Sequence, residues 1–487
     1  MATMEQTASL EVEKRSNTNM LATRTVVATI FGVFLYLAVP LASAWSIAVL
    51  PLICGTFAWI AVKDDNLGAV SAASITAIGS VILWPKIQAS LPQLTFGFFL
   101  IIQIVLAVAP ALTAKIAKVR VNPQIVALSL LVVIMLNFII TANASSAEIS
   151  QASACEPPAE AYGFDGIFFL KMFYLVDQGV DYYKAYDVAF EQDSRFDRPP
   201  SVIGGWRMPT TFWFWSFIAD RGDFLVKYFI MFSLVLMLCA YLVAEKFTEP
   251  AFAVISACLI GTYMLFGVSS WWYTELEYWG MFLAIPAATL YLYDKRYFAL
   301  PLAVLAGLMR EWVALLLIAG LIDSIVKRRW LESGVWATAC AFVGGAYVFN
   351  INHIMAYAKQ TNLPLSLEGA GAGQGGFGFI LYTLQFGASY FAGGLNLVYV
   401  LFFVGIIGAI LTGARSKNFY WATAILLPLA AFMYYGSGKV PGDPAGWNDY
   451  YNINFMPYVL IAVPFAAKPL IDIGFGMLEK LDVAKKS

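Results

Sequence analysis

From residue 25 to residue 471 the chain alternates long apolar runs with short polar interruptions. Runs near 25–43, 46–62, 68–85, 96–113 and 124–143 each suit one bilayer-crossing helix, which takes roughly 17–25 apolar residues. Lys14, Arg15 and Arg24, then Lys63, then Lys115, Lys118 and Arg120 fall at one side of these runs. Lys and Arg mark cytoplasmic ends, so five crossings place the following polar stretch, 144–207, outside. Further runs lie near 222–244, 249–268, 275–293, 298–309, 312–326, 333–352, 393–413, 419–435 and 454–471. Their basic flanks (Lys246, Lys295 with Arg296, Lys327 to Arg329, Arg415 with Lys417, Lys480, Lys485 and Lys486) again land on the cytoplasmic side. The pattern predicts an all-α polytopic membrane protein of about 14 transmembrane helices with both termini in the cytoplasm.

One interval is too short for its charges. Only about 30 residues separate Lys295 and Arg296 from Lys327–Arg329, yet both clusters read as cytoplasmic. A hairpin of two short helices, each about 18–20 Å long at 1.5 Å per residue, reconciles them. Its tip, Met309-Arg310-Glu311, then sits below the outer membrane surface, where a charge is costly unless it faces a polar cavity or a partner.

Composition agrees with the pattern. The chain has 487 residues, 60% hydrophobic and 13% charged, against roughly a quarter charged in soluble proteins. A net charge of −1 argues against nucleic acid as a partner, since nothing would neutralise phosphates in bulk. The first 24 residues are polar and mixed in charge, with no apolar stretch of the kind a cleaved signal peptide needs. Of five cysteines, four sit inside apolar runs and only Cys155 lies in a polar loop; there is no Cys-x-x-Cys and a single histidine, His353. Neither a disulfide framework nor a structural zinc site is expected.

The predicted outer connections hold the unusual chemistry. The first, 144–221, contains YGFDGIFFLKMFYLVDQGVDYY, where Asp165, Asp177 and Asp181 stand among aromatic side chains, and then RFDRPPSVIGGWRMPTTFWFW. Ile167, Phe168, Met172, Leu175 and Val176 repeat at helical spacing, which predicts a short amphipathic helix at the membrane interface with Asp165 at its start. Arg198 and Arg207 are candidate phosphate ligands, or partners of Asp193 and Asp197. The second connection, SSWWYTELEYW, sets Glu275 and Glu277 among tryptophans, either as an interfacial aromatic belt or as a sugar-stacking groove. The third carries His353 and the glycine-rich GAGAGQGGFG, which lacks the pattern of a nucleotide loop and reads as a flap. The fourth, YYGSGKVPGDPAGWNDYYNINF, contains Lys439 and Tyr450. Inner loops are short and basic, so the working face is expected to be extracytoplasmic.

The order of these features resembles the GT-C superfamily of integral membrane glycosyltransferases. The resembling residues are Asp165 in the first large outer loop, GVDYY 14 positions on, Arg198-Pro199-Pro200, an aromatic run entering the next helix, TELEYW, and GLMREW in the short hairpin. The likeness is nearest to the branch holding protein O-mannosyltransferases and lipid A aminoarabinose transferases, with the mycobacterial envelope mannosyl- and arabinosyltransferases related in the same way. It covers about 150–350. Here Gly166 follows Asp165 where that branch often has a second acidic residue, and four helices precede the usual first one. The resemblance implies transfer of a monosaccharide from a polyprenyl-phosphate donor to an acceptor hydroxyl on a glycan, glycolipid or protein, at the outer face of a prokaryotic cytoplasmic membrane. Asp165 would be the general base. Arg310 is the first candidate for the donor phosphate, with Arg198, Arg207 and Lys439 behind it, and Glu275, Glu277, Glu311, Asp181, His353 and Tyr450 are further candidates. No cofactor is implied beyond the lipid-linked donor, with a divalent metal left open.

The expected organisation is a cytoplasmic tail at 1–24, additional N-terminal crossings at 25–123, a GT-C-like core at 124–352 including loop 144–221, a C-terminal membrane region at 353–475, and a tail at 476–487. The competing reading is a transporter or flippase of a lipid-linked saccharide, which would place its site near the bilayer midplane and commonly show internal repeats. No repeat is visible between 25–143 and 222–352.

Overall fold

Inside hydrocarbon a backbone has no water to bond, so helices that close their own hydrogen bonds are the economical element. The computed structural model describes residues 2–39, 44–90, 95–117, 122–151, 164–191, 206–219, 222–269, 272–365, 376–435 and 449–484, and every regular element among them is helical. Among the described residues nine helices are long and apolar enough to cross a membrane, and Val49–Val62, Arg296–Met309 and Tyr420–Tyr434 are shorter apolar helices. The chain is a multi-pass membrane protein.

The first helices are α1 (Ala2–Ala38), α2 (Ala44–Val62), α3 (Asp65–Ser90), α4 (Phe96–Ala117) and α5 (Pro123–Gln151). With no hydrophobic force between helices in lipid, small residues that admit close approach drive their packing. Gly55 does this for α2, since a Cβ there would lie 1.9 Å from the Ala107 carbonyl oxygen of α4. Hydroxyls add cross-links between α1 and α3, Tyr36 with Ser80 at 3.0 Å in the interior and Thr29 with Ser71 at 2.9 Å. Arg24 donates to both oxygens of Glu249 (2.9 and 2.5 Å) and to the Ala61 carbonyl, while Lys63 lies 3.1 Å from the same carboxylate. At the opposite end of α1 the Ala392 N–H donates to the Leu37 carbonyl at 3.0 Å. The N-terminal helices are therefore clamped to the rest of the chain at both ends.

The segment between α5 and the next long helix folds as α6 (Phe164–Asp177), α7 (Tyr182–Glu191) and α8 (Thr210–Ile218). Residues 167–176 are helical. Phe168, Phe169, Leu170, Met172 and Phe173 are all buried, so α6 is covered over more than half its circumference where a single apolar face was expected. It ends in a six-residue cap. Gly179, at φ +81°, donates to the Val176 carbonyl at 2.9 Å and Val180 to the Leu175 carbonyl at 3.0 Å. Asp181 then accepts from the N–H groups of Tyr183 (3.1 Å) and Lys184 (3.3 Å), starting α7.

The body continues with α9 (Gly222–Phe247), α10 (Pro250–Ser269), α11 (Leu276–Leu292), α12 (Arg296–Met309), α13 (Leu315–Val326), α14 (Trp330–Thr361), α15 (Gly376–Thr383), α16 (Gly394–Ser416), α17 (Tyr420–Tyr435), α18 (Met456–Ala462) and α19 (Ala467–Ala484). α10 is enclosed by α9, α5, α18 and α1, and is buried along nearly its whole length.

The predicted hairpin is α12 and α13. The chain breaks at Arg310 (φ −147°, ψ 125°), makes a short 3-10 turn over Glu311–Ala314, and returns. Its two bases meet at one carboxylate, because Arg296 and Arg329 both reach Glu332 Oε2, at 2.9 and 3.0 Å. Beside them Asp323 accepts from Tyr291 (2.6 Å), Lys327 (2.9 Å) and Arg329 (2.8 Å). With 14 residues, α12 is about 21 Å long at 1.5 Å per residue. That is short of a hydrocarbon core of about 30 Å.

Candidate functional site

Where the hairpin turns, four charged side chains meet. Arg310 donates from Nε to Glu277 Oε1 at 2.8 Å and lies with Nη2 2.5 Å from the same oxygen, while its Nη1 donates to Glu311 Oε1 at 2.7 Å. The third helix at the tip is α8, whose Thr211 hydroxyl reaches the Met309 carbonyl at 3.4 Å. Just before α8, Arg207 approaches Glu311 Oε1 at 3.9 Å. Two guanidiniums and two carboxylates thus balance in formal charge.

Burial divides the four. The Arg310 and Glu277 side chains are 1% and 2% exposed, whereas Glu311 is 39% and Arg207 14% exposed. Ion pairs taken fully out of water persist only with good geometry. Arg310–Glu277 has that geometry and forms the floor of the cluster. Glu311 and Arg207 form its accessible part. Arg310 was the first candidate for an anionic ligand, yet its Nε and Nη1 are committed to carboxylates.

Local sequence explains these positions. Glu277 sits in the first turn of α11, where the helix dipole favours a carboxylate. Glu311 occupies the turn that ends α12. Tyr182 donates to the Arg207 carbonyl and fixes the backbone there. Tyr347 of α14 donates to the Gly307 carbonyl at 2.9 Å, pinning the last turn of α12 beside the cluster.

A second constellation lies where α7 meets α14. The Tyr183 hydroxyl donates to Asn350 Oδ1 at 3.0 Å, Tyr357 donates to Asp187 Oδ2 at 2.9 Å, and Tyr186 stacks on Trp206 with ring centres 4.3 Å apart. His353 is exposed on α14 with its ring 5.9 Å from Tyr183. Burial and then the neighbouring Asp181 carboxylate push the Tyr183 phenol above its ordinary range.

The candidates from sequence therefore separate. Arg310, Glu277, Glu311 and Arg207 come together. Glu275 is fully buried at the residue preceding α11, two positions from Glu277. Tyr450 is buried in the turn Asp449–Asn454, its ring 6.3 Å from Trp272. Asp181, a candidate for function, serves as the cap of α7, and His353 lies on the α14 ridge. Asp165 is in the first turn of α6, and its side chain lies outside the described residues, as do Arg198 and Lys439. Tyr347, Asn350, Asp187 and Tyr357 were not singled out from sequence; the docking of α7 on α14 gives Asn350, Asp187 and Tyr357 their partners, while Tyr347 bonds α12. Among the described residues no group of His, Cys, Asp and Glu could hold a metal ion. No family model, curated protein or solved structure matches the chain.

Proposed function

We propose that this chain is a membrane glycosyltransferase of GT-C type, moving a monosaccharide from a polyprenyl-phosphate donor to an acceptor hydroxyl at the extracytoplasmic face of a prokaryotic cytoplasmic membrane. The observation that carries the reading is the Arg207–Glu311–Arg310–Glu277 cluster at the turn of a hairpin too short to span the bilayer. In this reading the nine long helices, α2, α11, α17 and the two short arms of the hairpin make up the count of about 14 membrane segments. The basic turns at Lys63, Lys295 and Lys417 face the cytoplasm, and the cluster lies at the opposite ends of the helices.

The chemistry follows from the charges. As the acceptor oxygen bonds to the anomeric carbon, the anomeric carbon–oxygen bond to phosphate breaks and polyprenyl phosphate leaves with the electron pair. Guanidinium groups held in place before the reaction stabilise that growing charge without reorganising. Arg207 fills this role at the accessible edge, while Arg310, locked by Glu277, holds Glu311 and the hairpin turn. The acceptor's proton goes to Asp165, a carboxylate suited to general-base work at the start of α6.

The transporter alternative has one observation in its favour: a helix interrupted within the bundle, at Val463–Ala466, a common way of building a substrate path. Purified protein incubated with a radiolabelled polyprenyl-phosphate sugar and a membrane extract as acceptor source separates the two. Label moving from lipid into a new glycosidic product, and lost in Arg207→Ala, supports the enzyme. Counter-flow of the intact lipid across liposomes without a new bond supports transport.

A further inference from the structure

We infer that the groove between α12 and α14 is a binding site for one anionic phospholipid of the cytoplasmic leaflet. This site is separate from the charged cluster and does not rest on the glycosyltransferase reading. Leu300 and Val304 of α12 form one wall, and Trp330, Val335, Ala339 and Phe342 of α14 form the other. From Trp330 to Phe342 the groove runs about 18 Å at 1.5 Å per residue. One leaflet of hydrocarbon is about 15 Å deep, so the groove matches an acyl chain in length. Trp330, Val335 and Phe342 are 68%, 45% and 60% exposed, and no other part of the described chain covers them.

Charge selects the headgroup. The groove opens at the basic ends of α12 and α14, the ends that face the cytoplasm. Five cations lie there: Lys295, Arg296, Lys327, Arg328 and Arg329. Three are engaged, because Arg296 and Arg329 share Glu332, Arg296 also holds Asp294 at 2.6 Å, and Lys327 holds Asp323. Lys295 and Arg328 are exposed and form no ion pair among the described residues. Arg328 takes φ +55°, a left-handed position that glycine would occupy more easily, so the turn keeps a cation against local backbone preference. These two cations attract a phosphate bearing a net negative charge whose chain lies in the groove. A zwitterionic lipid offers the same chain and less attraction.

The substitution that tests the groove is available without strain. A Cβ at Gly334, which lines it, meets nothing within 4 Å, so Gly334→Phe fills the groove while leaving helix packing alone. Thr338→Phe is a second filling variant on the same wall. The full chain, purified in detergent, is titrated with dioleoyl phosphatidylglycerol or dioleoyl phosphatidylethanolamine and examined by native mass spectrometry, with a thermal melt confirming the fold. The wild type is expected to retain one phosphatidylglycerol with a preference of about thirtyfold, the scale set by two cations at a membrane surface. Both filling variants should lose retention of either lipid at least severalfold. Lys295→Gln with Arg328→Gln should bring phosphatidylglycerol down to the phosphatidylethanolamine level. Equal retention of the two lipids by the wild type, or undiminished phosphatidylglycerol binding in a folded filling variant, overturns the assignment.

Discussion

Replacing Arg310 by Met tests whether the charged floor of the hairpin turn is one unit. Arg310 and Glu277 are each at most 2% exposed and joined by contacts of 2.8 and 2.5 Å. Removing one partner leaves the other charge buried, which costs about 3–5 kcal/mol. The lost contact to Glu311 adds about 1 kcal/mol or less, since that carboxylate is 39% exposed and keeps Arg207 at 3.9 Å. The sharper expectation concerns a change of sign. Glu277→Gln in the wild type keeps an oxygen for Arg310's Nε and Nη2 but removes the charge that balances the buried guanidinium and should cost about 3 kcal/mol, whereas in Arg310→Met it deletes the stranded charge and should restore about 2–3 kcal/mol. Equilibrium unfolding of the four proteins in mixed micelles, followed by tryptophan fluorescence, gives the cycle. If Glu277→Gln destabilises both backgrounds equally, the two residues are not coupled and the cluster is not the element that holds the hairpin turn.

Asp165→Asn should lower transfer of label from the lipid donor by about 10²–10⁴ with donor binding unchanged, and full turnover would remove Asp165 as base. Asp181→Ala should cost about 1 kcal/mol in thermal stability through loss of the α7 cap while Asp181→Asn stays near wild type; equal effects would refute the capping role. Gly55→Leu should abolish folded yield, because its Cβ falls 1.9 Å from a backbone oxygen, whereas Gly344→Ala, with nothing within 4 Å, should express normally as judged by size-exclusion chromatography. In a background lacking Cys155, a membrane-impermeant thiol reagent should label Lys359→Cys in intact cells and Lys417→Cys only after the cells are opened; the reverse would invert the proposed orientation.

The hairpin was legible because two basic clusters fixed both ends of an interval too short for two spans, and that conflict has few solutions. Arg310 stood out for the same reason. Its partner did not. Glu277 lies 33 positions away, and a carboxylate in an aromatic-rich connection reads equally well as a belt or a groove residue until α11 is set against α12. Asp181 shows the opposite failure. Gly179 followed two residues later by Asp181, between two apolar stretches, is a local helix-stop and helix-start signal, and the structure uses it as one. α6 was expected to have one greasy face because its neighbours were unknown; α7 and α8 fold back over it and bury a wider arc.

The contact between α1 and α19 bears on how the chain is made. Ser16 donates to Glu479 at 3.4 Å across a separation of 463 residues, and a Cβ at Gly474 would lie 2.7 Å from the Thr23 side chain, so these two helices meet closely. At a synthesis rate of about 5–20 residues per second, α1 waits roughly 25–90 s for that partner. Through that interval α1 lacks its α19 partner, while the Glu249 clamp on Arg24 is available much sooner. Biogenesis should therefore pass through a protease-sensitive stage that closes only when α19 has left the ribosome.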